Sequence, residues 1–181
     1  NTKEKTTYNW FISYPINTYN VSFYVGKFQK IEEEYIGING KLLQITHYVL
    51  EKNYEKAKLH FEQVHDQLAF YEKRFGEYPW YNDGFKLIES PYRGMEHQTA
   101  IAYGSGYKNI SNTETDYIIL HEMAHEWWGN SISAKDLAHV WLQEGFATYS
   151  EALYFEEKNG VKAYKNWLDR YRIFIQNKYP L

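Results

Sequence analysis

His121 and His125 stand four residues apart, and their two rings can serve one site only if this part of the chain is a helix. Residues at that spacing lie on the same helical face, so both imidazoles can converge on one cation. Glu122 lies one residue further round and can reach a water on that cation, an arrangement typical of hydrolytic zinc sites. The apolar run from Tyr117 to Trp128, which stops at Gly129, predicts the required helix.

A third metal ligand is needed, because a catalytic zinc usually has three protein ligands and one open position. The chain has no cysteine, so the ligand must be a histidine or a carboxylate. Glu144 is the leading candidate, since it follows His125 after 18 intervening residues on the next predicted helix. A chain of this composition shows HExxH with such a glutamate by chance in roughly 0.3% of cases. The alternative, in which both histidines are ordinary core residues, is therefore weak.

Composition excludes several classes of partner. With 20 basic and 23 acidic residues, the chain has a formal net charge of -3 and no basic stripe. Nucleic-acid binding needs clustered lysine and arginine, so we expect no nucleic-acid partner.

Uncharged apolar runs are far shorter than the roughly 20 residues that cross a bilayer, so we also expect no transmembrane segment. A hydrophobic content of 44% predicts a folded globular protein.

The hydrophobic periodicity changes along the chain. Between Trp10 and Leu50, β-branched and aromatic runs predict three or four strands, among them 19–25, 35–38 and 42–50. Helical spacing predicts one helix over 53–75, and short strands are predicted at 85–88 and 99–103. After the HExxH helix, two more helices are predicted over 140–158 and 161–178. This order of elements indicates the α+β class.

Three motifs together resemble the aminopeptidase N family of zinc peptidases, which also includes leukotriene hydrolase-type enzymes. They are Gly94-Met95-Glu96, the HExxH residues 121–125, and Glu144-Gly145-Phe146-Ala147. The resemblance implies a thermolysin-like zincin catalytic domain of the gluzincin type, preceded by the last strands of an amino-terminal β domain. On this interpretation residues 1–47 end the β domain and residues 48–181 begin the catalytic domain. The remaining part of the catalytic domain and a helical carboxy-terminal domain would lie outside the chain.

The resemblance also implies the roles of individual residues. His121, His125 and Glu144 match the ligands of a single zinc ion, and Glu122 matches the general base. Glu151 is similar to the family's acidic residue that supports the metal site by orienting a ligand. For Glu151 the alternative is a solvated helix glutamate.

Glu96 matches the glutamate that binds the free amino group of the substrate. A buried carboxylate at the closed end of a cleft suits that role, because it forms a charge-assisted hydrogen bond with a cationic amino terminus. The alternative is an exposed turn glutamate after Gly94. The strand predicted at 99–103 would be an edge strand beside the cleft, able to pair with the substrate backbone.

Several features depart from the family pattern. At positions where the family usually has asparagine, aspartate and asparagine, this chain has His97, His139 and Gln143. The two histidines are either residues that tune substrate preference or ordinary packed or exposed residues, and we favour the second interpretation. The family's oxyanion-stabilising tyrosine would lie beyond Leu181, and such donors contribute about 10² to 10³ in rate. We therefore expect the 181-residue chain alone to be weakly active or inactive.

The expected function is that of a zinc-dependent aminopeptidase acting on peptides with a free amino terminus. Two alternatives stay open: a peptide-binding pseudo-peptidase, and a zinc hydrolase of a non-peptide substrate such as an epoxide. Glu122 argues against the first alternative, because a site that only binds peptides has no need of a base.

Overall fold

The computed structural model describes residues 5–175. Its strands and longer helices are, in chain order, β1 (Phe28–Ile36), β2 (Leu42–Leu50), α1 (Tyr54–Phe61), α2 (Gln63–Phe75), β3 (Leu87–Glu89), β4 (Gly94–Met95), β5 (Ile101–Tyr103), α3 (Tyr117–Ala124), α4 (Val140–Asn159) and α5 (Val161–Arg172). Short 3₁₀ turns precede α1 and α4. The α+β class expected from the sequence is confirmed. No helix within the described range is both long and apolar enough to cross a membrane.

The strands form one mixed sheet in the order β1-β2-β3-β5-β4. β1 and β2 pair antiparallel over nine residues each, β2 to β3 and β3 to β5 are parallel, and β4 runs antiparallel to β5. Gly40 closes the β1–β2 turn with φ of 72°, a conformation that glycine adopts without steric cost. The division predicted between residues 47 and 48 falls within β2, and it stays a prediction.

The expectation of an edge strand at 99–103 was wrong. β4 pairs with β5 through Gly94 opposite Tyr103 and Met95 opposite Ala102, so β5 is enclosed between β3 and β4. No sequence pattern predicted β4, because a two-residue strand is too short to show alternation of apolar and polar residues. The edge on this side of the sheet is therefore the segment that leads directly to Glu96.

The hydrophobic core lies between the sheet and the helices. Alternate residues of β2 are buried, while α3 buries most of its circumference, including Ile119, Leu120, Met123 and Ala124. α3 contacts α2, α4, β4 and β5. A helix enclosed in this way has little freedom to move, so the HExxH residues are held rigidly.

Other predicted elements differ in detail. Residues 19–25 were predicted to be a strand, but the structure has a 3₁₀ turn at Thr18–Asn20 followed by extended chain without ladder pairing. Side-chain hydrogen bonds hold this segment in place. The helix predicted over 53–75 is divided into α1 and α2 at Glu62. The last predicted helix ends at Arg172, and the end of its predicted range lies outside the described residues.

Candidate active site

Asp116 fixes the start of the helix that carries the HExxH residues. One oxygen of its wholly buried carboxylate accepts the backbone N–H of Ile118 at 2.8 Å, which caps α3. The other oxygen accepts from the hydroxyl of Tyr103 at 2.6 Å and lies 2.9 Å from Nε2 of His60. These contacts tie the first turn of α3 to β5 and α1.

Three ligand atoms meet at the other end of α3. His121 lies in the helix and His125 is its C-cap residue, and their Nε2 atoms are 3.2 Å apart. Oε2 of Glu144, on α4, lies 3.6 Å from Nε2 of His121 and 3.7 Å from Nε2 of His125. Tetrahedral zinc with bonds of about 2.0 to 2.1 Å needs ligand atoms about 3.3 Å apart. The triangle formed by these atoms has the dimensions of a zinc site.

Hydrogen bonds on the far side of each ring aim the Nε2 atoms. His121 donates through Nδ1 to Oε1 of Glu151 at 2.6 Å, and His125 donates through Nδ1 to the backbone oxygen of Trp128 at 2.9 Å. A ring that donates through Nδ1 presents Nε2 as the free lone pair, as a metal ligand must. Glu151 is wholly buried on α4 rather than solvated.

Two helices satisfy the buried carboxylate of Glu151. Its second oxygen accepts from Nε1 of Trp167 and from the hydroxyl of Tyr171, both on α5 and both at 2.9 Å. Buried charge is tolerated only when hydrogen-bonded, and here donors engage both oxygens. α5 therefore supports the site indirectly, a contribution that spacing in the sequence did not reveal.

The charges of His121, Glu144 and Glu151 together favour binding of a cation. Burial lowers the pKa of His121, but the nearby carboxylate of Glu144 and the hydrogen bond that His121 donates to Glu151 outweigh it and raise the value to about 10. The proximity of His121 lowers the pKa of the Glu144 carboxyl below its usual range. In the absence of a metal these two residues therefore form an ion pair. A divalent cation would displace the proton of His121 and interact directly with both carboxylates.

Glu122 lies beside His125, with ligand atoms of the two residues within 4.8 Å of each other. Its carboxylate is buried, and loss of solvation raises its pKa to about 8 against an opposing effect of His121. It lies against the backbone of Gly94, where any Cβ would collide with Oε1 of Glu122. The bare glycine of the first motif thus provides the space that this carboxylate fills.

Glu96 lies beside Glu122 and His125. It is buried at 8% exposure, and ligand atoms of Glu96, Glu122 and His125 lie within 4.8 Å of one another. The structure thus brings together the three motifs that are far apart in sequence. The alternative of an exposed turn glutamate is inconsistent with this position.

Tyr19 is a residue of the cleft that the sequence reasoning missed. Its hydroxyl donates to Oε1 of Glu96 at 3.4 Å and accepts from Nε2 of Gln143 at the same distance. Burial, followed by the charge of Glu96, raises its pKa to about 12. No motif marked Tyr19, because its place depends on contacts across most of the chain.

The residues that depart from the family pattern take different positions. His97 is buried, with Nδ1 2.6 Å from the hydroxyl of Tyr24, and Gln143 is buried beside Tyr19. His139 is exposed. The interpretation of both histidines as packed or exposed residues agrees with these positions.

Comparison with known proteins identifies the family. The model of the peptidase family M1 domain matches residues 59–179. Leucyl aminopeptidase of Saccharolobus solfataricus is 27% identical over 155 residues, covering 80% of this chain and 19% of its own length. Transcription initiation factor TFIID subunit 2 of Danio rerio is 24% identical over 171 residues, covering 91% of this chain and 14% of its own length.

A solved structure shows the same fold. It is a mutant M1 zinc metallopeptidase from Deinococcus radiodurans bound to a Tyr-Ser-Ala substrate, with a TM-score of 0.61 and 20% identity, covering 82% of this chain and 33% of that one. The chain thus spans only a minor part of the length of these relatives. Because the family model matches most of the chain and the fold agrees, this chain belongs to peptidase family M1, the zinc peptidases that its three motifs resemble.

Proposed function

We propose that this chain carries the zinc site and the amine-binding carboxylate of an aminopeptidase, which removes amino-terminal residues from peptides. The observation that carries the proposal is that His125 belongs to two clusters, one with His121 and the half-exposed Glu144, the other with the buried carboxylates of Glu96 and Glu122. Membership of a metallopeptidase family supports it.

His121, His125 and Glu144 would hold one zinc ion. When bound, zinc lowers the pKa of a water to about 7 and polarises a carbonyl group. Glu151 and the backbone oxygen of Trp128 keep the two rings aimed at that ion. The donor set of two imidazoles and one carboxylate is one that zinc prefers.

Glu122 is the proposed general base. It would take a proton from the attacking water and pass it to the leaving amine. Its pKa of about 8 reflects burial without a cation, and a divalent ion beside it would lower that value toward the ionised form that a base needs. Because Oε1 of Glu122 lies against Gly94, a side chain at position 94 would displace the carboxylate.

Glu96 is the proposed binding group for the substrate's amino terminus. A cationic amine entering the cleft would meet a carboxylate that burial has removed from most competing water. Because Glu96 lies within 4.8 Å of Glu122 and His125, only a short length of substrate fits between the amine and the scissile bond. This proximity favours removal of single residues over internal cleavage.

The similarity to TFIID subunit 2 gives a second candidate a specific basis. This second candidate is the pseudo-peptidase, in which the site binds peptides without hydrolysing them. The buried position of Glu122 against Gly94 favours the enzymatic proposal, since a non-catalytic site gains nothing from burying a carboxylate there. Hydrolysis of a non-peptide substrate, such as an epoxide, is the other alternative.

The first test is zinc content. We expect about one zinc per chain by elemental mass spectrometry after dialysis against metal-free buffer, and almost none in His125→Ala. His139→Ala is the matched control, because His139 is exposed and is not a ligand in the proposed site. Absence of zinc from the unmutated chain would contradict the proposal, as would equal zinc in the chain and in His125→Ala.

The second test separates the candidate functions. The zinc-loaded chain is incubated at high concentration with leucine amide, N-acetyl-leucine amide and a simple epoxide. An aminopeptidase releases ammonia from the first substrate alone, because acetylation removes the cationic amine that Glu96 would bind. Equal cleavage of both amides would contradict the amine-binding role of Glu96, and turnover of the epoxide alone would favour the non-peptide alternative.

A further inference from the structure

The turn that carries Glu96 is hydrogen-bonded at both ends to the chain that follows His125. At one end, Nδ2 of Asn130 donates to the backbone oxygen of Glu96 at 2.9 Å. At the other end, Oε1 of Glu126 accepts the backbone N–H of Thr99 at 2.8 Å. We propose that Glu126 and Asn130 are positioning residues that set the distance between Glu96 and the zinc ligands, an inference that rests on the proposed function.

The turn needs external support because its own bonds do not fix it. Thr99 has φ of 61°, a left-handed conformation that costs energy in a residue other than glycine. Within the turn, the N–H of His97 bonds to the oxygen of Met95, and that of Ala100 bonds to the oxygen of His97. The N–H of Thr99 finds its partner outside the turn, in Glu126.

Packing alone does not explain why Glu126 is buried, because burying a carboxylate costs free energy. Its side chain has no exposure to solvent, although it is an acidic residue next to the ligand His125. Burying a carboxylate is unfavourable unless donors satisfy it, and an apolar side chain could fill the same volume without that cost. What the carboxylate adds is two acceptors: Oε1 accepts the N–H of Thr99, and Oε2 accepts from Nδ2 of Asn130 at 3.4 Å.

Asn130 connects three parts of the cleft. Its backbone N–H bonds to the oxygen of His125 at 2.9 Å, which ties it to the metal ligand itself. Its side-chain Nδ2 holds Glu96, while its Oδ1 accepts from Nδ2 of Asn20 at 2.6 Å, next to Tyr19. One buried amide therefore sets the positions of the ligand, the amine-binding carboxylate and the segment bearing Tyr19.

The hydrogen bonds of Asn130 and Glu126 affect how much of a substrate fits between Glu96 and the zinc ligands. The bonds from Asn130 and Glu126 reach the backbone of the Glu96 turn rather than its side chains. These bonds fix the backbone from which the Glu96 side chain extends toward His125, and the hydroxyl of Tyr19 contacts the carboxylate itself at 3.4 Å. A carboxylate held in this way suits an enzyme that removes one residue at a time.

Three variants test this inference on the zinc-loaded chain. Asn130→Asp removes the donor to Glu96 but keeps an oxygen for Asn20, Glu126→Ala removes the acceptor for Thr99, and Glu126→Gln keeps an acceptor oxygen. Asn39→Asp is the matched control, since it removes an amide donor at the exposed β1–β2 turn. The readouts are zinc per chain, affinity for L-leucinamide and for its N-acetyl form by NMR titration, and hydrogen exchange of the Thr99 amide.

We expect Asn130→Asp and Glu126→Ala to retain zinc but to bind L-leucinamide about tenfold more weakly. Exchange of the Thr99 amide should accelerate in Glu126→Ala, whereas Glu126→Gln and Asn39→Asp should resemble the parent in both readouts. A role in stability alone would lower the unfolding free energy without changing affinity in the folded, zinc-loaded protein. If Glu126→Ala does not fold, the contrast between Asn130→Asp and Glu126→Gln decides.

Parent-like affinity for L-leucinamide in Asn130→Asp would overturn the inference, as would equal weakening in Glu126→Gln. A zinc-loaded parent that binds L-leucinamide no better than the N-acetyl form would overturn both this inference and the amine-binding role of Glu96. If the unmutated chain binds no zinc, the proposed function is contradicted but the positioning role is not. Exchange of the Thr99 amide in the metal-free variants would then decide whether Glu126 holds the turn.

Discussion

Nδ1 of His121 donates to the buried carboxylate of Glu151 across 2.6 Å, and this bond joins α3 to α4 at the centre of the proposed zinc site. Glu144, the third proposed ligand, lies on the same helix as Glu151. One helix therefore supplies both a ligand and the group that orients another ligand.

Replacement of Glu151 by glutamine should weaken zinc binding by about 10-fold to 100-fold. The amide keeps the size of the side chain but removes the charge that aims His121 and that accepts from Trp167 and Tyr171. Zinc affinity is measured by competition with a chelator. Glu157→Gln on the same helix is the control, because Glu157 bonds only to Lys73 and Arg74 among the described residues. Equal zinc affinity in the two variants would contradict the role of Glu151.

Replacement of Glu122 by glutamine should leave zinc binding intact and lower the weak hydrolysis of leucine amide expected of the zinc-loaded chain to the uncatalysed rate. Glutamine matches the shape of Glu122 but accepts no proton. Glu114→Gln, at an exposed position, should keep the parent's rate. Retention of full activity in Glu122→Gln would rule out its role as the base.

Replacement of Gly94 by alanine should displace the proposed base without removing a ligand. The new methyl group would collide with Oε1 of Glu122 and approach Ile118, so the carboxylate must move. We expect unchanged zinc content with a clear loss of hydrolysis. Gly145→Ala is the matched control: its Cβ meets no atom within 4 Å, and alanine suits a helix better than glycine. Similar rates in the two variants would show that Glu122 does not depend on the space at Gly94.

Stability should fall below neutral pH because of His47. Its ring is buried on β2, where Nδ1 accepts the N–H of Leu87 at 3.1 Å, and burial lowers its pKa from 6.5 to about 3. Between those values the unfolded chain binds a proton that the folded chain does not. The free energy of unfolding therefore decreases as the pH falls from 6.5 toward 3, by at most about 1.4 kcal/mol per pH unit from this residue.

Urea unfolding at pH 6, 5 and 4 measures this contribution. His47→Gln keeps an acceptor for the N–H of Leu87 but has no titrating ring. The slope of its unfolding free energy against pH should therefore be smaller, by the equivalent of about one bound proton. His139→Gln, at an exposed histidine, should keep the slope of the parent. Identical slopes in the parent and His47→Gln would contradict the assignment to His47.

Much of the proposed site was accessible from the sequence because its signals are local. The four-residue spacing of His121 and His125 only has meaning on a helix, and the apolar run around it predicted that helix, which the structure contains as α3. The predicted helix that begins at Val140 likewise placed Glu144 on α4. Glu96 required the resemblance of a motif to a family, since periodicity alone does not mark it.

The sequence by itself determined which residues share one face of a helix. Within a helix, hydrogen bonds and side-chain contacts join residues only three or four positions apart, so a local pattern is enough. Tertiary structure alone decided that Tyr19 reaches Glu96, that Asn130 holds the Glu96 turn, and that β4 rather than β5 forms the edge. These contacts join residues far apart in sequence or depend on strand pairing, and no local pattern encodes them. They form only when burial of the core brings the segments together, because a buried polar group must replace its hydrogen bonds to water with bonds to neighbouring protein groups.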